Sequence, residues 1–566
     1  RPLLQLPEHV IARVRRVAFV WALLAMIGLV LATQAGLLHH QPGGDAYEIQ
    51  QRQMFLIAFG VAVLISWWSE IIGGTVASMS AAAILVFARN QLEPLDAAVV
   101  VIAFAVPGVS WILIYLHDLR PRAALVSIAL VIAAVAAGAV TAQSAYDGIY
   151  GPSHPESTLP DLPASEVDWI WSGATTSTST VVVAGFARRQ TQIRLAVSDD
   201  PSFGDPMWFG SDTSDGRIAR FTVMSLEPAT AYHYAVELDG VLERSAAGSF
   251  RTFPDGPASF TIAVGSCARV GSNGAVFDAI RELDPDLFVI SGDLHYSNIP
   301  DDDVGEFLDA YREVLTQNAQ AALYRSTPIA YVWDDHDYGA NNADSTSPSR
   351  PAAMESYRAV VPHYPLAGDQ APIYQAFTIG RARVIMTDTR AGRSPAGALD
   401  DAAKTMLGAR QLDWFEQQLL AADGTYPLII WVNSVPWISA GSPGGDDWGG
   451  YTAERARIAD FLVANDIDGL VMLSGDAHMV AIDDGTNSDF SSAGTDGFPV
   501  LHAAALDRPG HVKGGPYSEG SYPGSGQFGV VEVIDDGGDE ITVVLSGRTY
   551  EDETLVSYRF SVDARP

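Results

Sequence analysis

Six stretches of this chain place Cys, Asp, His, Tyr, Asn or Arg directly after a short apolar run. The densest is Val332-Trp333-Asp334-Asp335-His336-Asp337-Tyr338-Gly339, which closes the run Pro328-Ile329-Ala330-Tyr331-Val332. Carboxylates packed this tightly repel one another unless a cation lies among them. Alone, the stretch reads equally well as a solvated acidic loop that caps a helix. Five further runs shift the balance. Phe260–Val264 leads into Gly265-Ser266-Cys267-Ala268, and Leu287–Ile290 into Ser291-Gly292-Asp293-Leu294-His295-Tyr296. Val384–Met386 leads into Thr387-Asp388-Thr389-Arg390, Leu428–Val432 into Asn433-Ser434, and Leu470–Leu473 into Ser474-Gly475-Asp476-Ala477-His478.

Together these residue types describe a metal site acting on a phosphate or similar anion. Asp293, Asp335 and Asp476 are hard oxygen donors suited to Ca²⁺, Mg²⁺, Mn²⁺ or Fe³⁺. Cys267 and Tyr296 must lose a proton to bind, which favours a strongly polarising ion such as Fe³⁺. Asp293 is placed to bridge two cations. His336 would protonate a leaving alkoxide, and Arg390 would offer a planar donor fork to a phosphate oxygen. Asp334, Asp337 and Tyr338 read as support, with Asp337 orienting His336. A lone Cys267 is ordinarily a buried thiol, but a Gly-Ser-Cys turn opposite Gly-Asp-x-x-Tyr favours a ligand. His295 is expected to point away from the site. His363, His502 and His511 default to loop histidines, with His511-Val512-Lys513 able to line a late substrate loop.

The elements that must position these side chains alternate. From Ala258 onward each apolar run is followed by a polar cluster and then helical periodicity, the pattern of a layered α/β domain whose ligands gather at the strand ends. Before it, residues 166–254 carry short alternating strands at sandwich-like spacing. Their stretch Leu226–Tyr234 resembles the corner before a late strand of fibronectin type III domains, where a tyrosine caps the bend. Residues 146–165, rich in Pro, Ser, Gly and Asp, read as a linker.

Residues 1–145 differ in kind. Apolar spans at Val17–Leu37, Met54–Trp68, Ile71–Phe87, Leu95–Leu116 and Ala123–Ala142 each approach the roughly 20 residues a bilayer-crossing helix needs. Small residues in the third suit close helix packing. This predicts a transmembrane bundle of about five spans. Arg13, Arg15 and Arg16 before the first span, and Arg120 and Arg122 before the last, put the N-terminus in the cytoplasm and residues 146–566 outside. Few ionisable residues within the spans argue against transport and for an anchor in the plasma membrane. The net charge of −33 argues against a nucleic-acid scaffold as partner. One cysteine excludes an intrachain disulfide.

The ordered motifs Gly-Ser-Cys, Gly-Asp-x-x-Tyr, Trp-Asp-Asp-His-Asp-Tyr-Gly, Asp-Thr-Arg and Ser-Gly-Asp-x-His resemble the PhoD-like (alkaline phosphatase D) metallophosphatases, relatives of calcineurin-type and purple acid phosphatases, over about residues 160–550. The resemblance implies a four-layer α/β/β/α catalytic domain (residues 258–566) behind a β-sandwich. It also implies an Fe³⁺ plus Ca²⁺ centre, with Mn²⁺, Mg²⁺ or Zn²⁺ as alternatives, that cleaves phosphate mono- and diesters. Cys267, Asp293, Tyr296 and Asp476 would then hold iron, and Asp335, His478 and either Asn341 or Asn433 the second cation. The Asp-x-His that opens the wider calcineurin-type pattern is absent, with Cys267 near its place. The multi-span segment is no part of that family's usual soluble, exported form. The chain therefore reads as a membrane-anchored, extracytoplasmic phosphatase or phosphodiesterase. The competing reading is a non-catalytic sensor that binds phosphorylated wall polymer or lipid headgroups.

Overall fold

The computed structural model describes residues 7–34, 59–66, 68–88, 94–117, 119–150, 154–368, 371–494, 497–503 and 505–564. The chain forms two compact units, Arg1–Ile149 and Tyr150–Pro566.

The N-terminal unit is helical, with helices at Glu8–Gln34, Glu70–Ala88, Pro94–His117 and Pro121–Tyr150, and a shorter helical segment at residues 59–66. Small residues let two of these helices meet backbone to backbone. A Cβ on Gly74 would lie 2.8 Å from the Gly108 carbonyl oxygen, the approach expected where helices pack without large side chains between them. The five crossings expected from hydropathy are not what the structure supports. Among the described residues one helix, Pro121–Ala145, is long and apolar enough to cross a membrane, whereas Glu70–Val86 and Val101–His117 are shorter apolar stretches. Hydropathy counts apolar residues; helix boundaries decide how much continuous apolar helix they make. Parts of the first two expected spans, residues 35–37, 54–58 and 67, lie outside the described residues. The Pro121–Ala145 segment leaves Leu125, Leu130, Ile132 and Val140 more than 60 % exposed, an apolar face without a protein partner among the described residues.

The second unit is built on two large sheets. The first runs, strand by strand, Thr554–Asp563, Glu540–Thr549, Gln527–Ile534, Phe260–Gly265, Leu287–Ser291, Ile329–Val332, Val167–Gly173, Ser179–Phe186, Ile218–Met224 and Thr213–Ser214. The second runs Gln375–Ile379, Ala382–Met386, Leu428–Val432, Leu470–Ser474, Val500–Ala503, Met479–Asp483 and Ser521–Pro523. Period-two alternation shows how the second sheet is covered. Val384, Met386, Ile430, Val432, Val471 and Leu473 share a core with the first sheet's Ile262, Val264, Val289 and Val332. Their neighbours Ile385, Ile429, Trp431 and Met472 turn outward to Leu412, Phe415 and Leu419 of the helix Ala409–Ala422 and to Ile458 and Leu462 of the helix Thr452–Ala464. Buried on both faces, the central parallel strands read as continuous apolar runs.

The sandwich strands are continuous with the catalytic sheet. Val167–Gly173 pairs in parallel with Ile329–Val332, Gly173 opposite Ile329. Opposite it, a smaller sheet of Ile193–Ser198, Met207–Gly210, Ala231–Leu238, Val241–Leu242 and Gly248–Arg251 closes a separate apolar core. At the predicted corner the Tyr232 hydroxyl accepts a hydrogen bond from the Glu227 amide at 3.0 Å, pinning the bend five residues upstream.

Candidate metal centre

Parallel register brings the strand ends level. Ile290 pairs with Gly265 and Val332 with Ser291 in the first sheet; Val432 pairs with Met386 and Leu473 in the second. The loops leaving these strands therefore meet over the seam between the sheets. Glycine is needed there: a Cβ on Gly292, whose φ is +102°, would lie 2.6 Å from Asp334 Cβ. Cys267, Asp293, Asp476 and His478 also have positive φ, between 51° and 69°. Non-glycine residues held in the left-handed region cluster where a site imposes its geometry.

Three sets of donor atoms converge within 4.8 Å: Cys267, Asp293 and His478; Asp293, Asp335 and His336; and Asp293, Asp334 and Asp476. Asp293 belongs to all three. Its side chain is buried; one oxygen lies 3.5 Å from Cys267 Sγ, and the other has no hydrogen-bond partner among the described residues. Burial, then the charges of Asp335 and Asp334, push its carboxyl far above the usual range. Burial and the nearby Asp293 likewise raise the Cys267 thiol and the Tyr296 phenol. Asp476, driven up to about 6 by burial, is relieved by Lys513, whose ammonium lies 2.6 Å from its Oδ1. Asp335 stays below the carboxylate range. Burial would raise it, but His336, Arg390 and the Asn342 amide at 2.6 Å outweigh that. Crowded, desolvated carboxylates with orphaned oxygens, beside a thiol and an imidazole, are the donor set a cation would satisfy.

The histidines are held in defined orientations. His478 Nδ1 lies 3.0 Å from the Pro509 carbonyl and so carries its proton there, leaving Nε2 to accept from the Tyr296 hydroxyl at 2.9 Å. His336 packs against the Tyr296 ring, tilted by 31° with centroids 4.1 Å apart. Its Nδ1 donates to Asn298 Oδ1 at 2.6 Å, and Asn298 Nδ2 in turn donates to the Tyr296 carbonyl. That assignment makes Nε2 the nitrogen His336 presents to the cluster.

Three residues make contacts other than those expected of them. Arg390 is completely buried, and its donors go to carboxylates: Nε to Asp334 Oδ1 at 2.5 Å, Nη1 and Nη2 to Asp446 at 3.0 and 2.8 Å. It braces the acidic floor rather than holding out a fork for phosphate. Asn433 is buried with its Oδ1 taken by the Val435 amide and Trp448 Nε1, so its oxygen is engaged in scaffold. Asp337 caps the short helix Asp335–Tyr338: its oxygens accept from the Asp334 and Leu294 amides and the Tyr331 hydroxyl. Asn341 is exposed, while its neighbour Asn342 contributes its amide to Asp335. As expected, His295 turns away, edge-on to Tyr311.

Sequence reasoning missed Asn298, Asp446 and Arg508, and left Lys513 as a loop residue. Arg508 lies 4.3 Å over the Tyr296 ring. Asp446 accepts from Arg390 and Arg393 in the loop Gly441-Ser442-Pro443-Gly444-Gly445-Asp446, which carries no strand-end signature. The only available signal for Asn298 was its place two residues beyond Tyr296.

Residues 262–500 match the family model of the PhoD-like phosphatases. The chain is also similar to alkaline phosphatase D of Bacillus subtilis (strain 168), with 24 % identity over 354 residues covering 52 % of this chain and 59 % of that protein. It therefore spans less than two thirds of the curated relative it matches. A solved structure of PhoD superposes with a TM-score of 0.57 at 18 % identity, covering 72 % of this chain and 92 % of that one; this shares the fold. The purple acid phosphatase PPD1 from yellow lupin (Lupinus luteus) seeds gives 0.49 at 14 % identity, over 70 % and 74 % of the two chains. The PhoD-like segment contains every donor residue of the cluster, from Cys267 to His478.

Proposed function

We propose that this chain is a membrane-anchored, metal-dependent phosphoric ester hydrolase whose catalytic unit works on the outer side of the membrane. The observation that carries it is Asp293, a buried carboxylate shared by three donor sets with one oxygen unpaired among the described residues. Cys267, Asp293, Tyr296, Asp476 and His478 fit a polarising ion such as Fe³⁺, and Asp335 with the remaining carboxylate oxygens a harder one such as Ca²⁺. Bound cations would polarise the phosphoryl group and lower the pKa of an attacking water. The chain's own residues supply the rest. His336, oriented by Asn298, presents Nε2 for proton transfer at the leaving oxygen. Arg390 and Asp446 keep the floor rigid, and Lys513 brings a positive charge to the substrate side of Asp476. An oriented proton-transfer histidine favours turnover over the binding-only reading.

Membrane attachment rests on the exposed apolar Pro121–Ala145 helix. Arg120 and Arg122 flank its N-terminal end, which orients that end inward and the catalytic unit outward. The test is turnover of p-nitrophenyl phosphate and its bis-ester by the full chain in detergent. EDTA treatment and Asp293→Asn are each expected to abolish activity. Full activity in Asp293→Asn would overturn the proposal.

A further inference from the structure

In the N-terminal unit four helical segments surround a cavity of about 880 Å³. Its lining comes from Arg15, Arg16, Phe19 and Val20 of the first helix, from Ser66, Trp68 and Ser69, from Glu70, and from Trp111 and Tyr115 near the end of the helix Pro94–His117. This size lies in the range of ligand pockets, about 300–1,000 Å³. The lining is divided by chemistry: arginines and serines on one part, aromatic and aliphatic side chains on the other.

The charges do not cancel. Arg15 Nε bonds Glu70 Oε1 at 2.5 Å, which fixes one guanidinium and neutralises one carboxylate. Arg16 also lines the cavity and makes no ion pair among the described residues, so the described lining carries one unmatched positive charge. Trp68 is 95 % exposed at its mouth, whereas Trp111 is buried in its wall. An exposed indole next to arginines is the arrangement of a membrane–water interface. Along the same helix Val17, Val20, Trp21 and Leu24 are 45–62 % exposed, an apolar track leading away from the guanidinium of Arg16.

We infer that this cavity binds the headgroup of an anionic phospholipid, with the phosphodiester at Arg16 and the acyl chains along the Val17–Leu24 track. Charge complementarity selects an anion, and the aromatic and aliphatic part selects one that carries hydrocarbon. Tyr115 of the cavity wall lies shortly before Arg120 and Arg122, at the end from which the Pro121–Ala145 helix starts; by the positive-inside bias that end faces the cytoplasm, where anionic lipid is enriched. The inference rests on the proposed membrane anchoring by the Pro121–Ala145 helix and is independent of the phosphatase chemistry.

The test uses the full chain in nanodiscs of phosphatidylcholine with phosphatidylglycerol, with retained lipid counted by native mass spectrometry after release. Retention of phosphatidylglycerol over phosphatidylcholine is expected, reduced about fivefold by Arg16→Gln and restored by Arg16→Lys. Inorganic phosphate at millimolar concentration is expected not to displace it. Activity on a soluble ester should be unchanged in both variants. Should Arg16→Gln fail to fold, Trp68→Ala, a change at an exposed position, is expected to weaken retention instead. Equal retention of both lipids by the unaltered chain, or no effect of Arg16→Gln, would overturn the inference. Displacement by inorganic phosphate would show a free-anion site and overturn the lipid assignment. Failure of the chain to enter nanodiscs at all would instead overturn the bilayer placement beneath it.

Discussion

Asp446 and Asp293 sit on the same acidic floor and titrate in opposite directions. Burial works against the charged form of both. At Asp446 the guanidinium groups of Arg390 and Arg393 outweigh burial and hold the carboxyl well below the usual range. At Asp293 burial is joined by the charges of Asp335, Asp334, Asp337 and Asp476, and the carboxyl is driven far up. Where the chain supplies its own counter-charge, the carboxylate is part of the scaffold. Where it supplies none, a cation would supply the missing charge. Asp334 straddles the boundary: its Oδ1 takes Arg390 and Ser434, while its Oδ2 has no partner among the described residues.

Substitutions should separate the two sides of this floor. The largest effect is expected from Asp293→Asn, with turnover falling by about 10³-fold or more as the shared ligand is lost. The same variant without metal should be no less stable than the parent, because a repelled, desolvated carboxylate has been removed. Thermal unfolding in EDTA checks this second half. Arg390→Met should act oppositely. Removing one partner from a buried ion-pair network costs about 3–5 kcal/mol, so urea unfolding shifts markedly whether or not metal is present. His336→Gln should lower kcat by about 10²-fold, with thermal stability little changed. Asn298→Ala, which removes the acceptor at His336 Nδ1 together with the donor to the Tyr296 carbonyl, should cost about tenfold in rate. Its pH profile should change shape, since the imidazole is no longer tied to one tautomer; a profile parallel to the parent's would mean that Asn298 serves structure alone.

The candidate donors were legible because buried parallel strands leave an unmistakable trace: an apolar run, then a polar residue where the strand ends. Cys267, Asp293, Asp335, Asp476 and His478 each follow that rule, and parallel register carries them to one place. What faces each side chain was not legible. Arg390 is a planar fork in any sequence reading; only the fold shows that Asp334 and Asp446 already fill it. Asn433 stands at a strand end like the candidate donors, yet Trp448 claims its oxygen from a distant loop. The junction of sandwich and catalytic sheet was hidden for a related reason. The pairing of Gly173 with Ile329 is a long-range parallel contact that no local pattern encodes. In the N-terminal unit the apolar composition was plain, but the number of continuous apolar helices depends on where each helix begins and ends.

The most direct test is the metal content of the purified full chain, measured by inductively coupled plasma mass spectrometry together with its visible spectrum. The account predicts bound metal in the unaltered chain, lost in Asp293→Asn and retained in Asn298→Ala; with iron bound, it also predicts an absorption band that Cys267→Ser or Tyr296→Phe alters. Equal metal content in the unaltered chain and Asp293→Asn would contradict it.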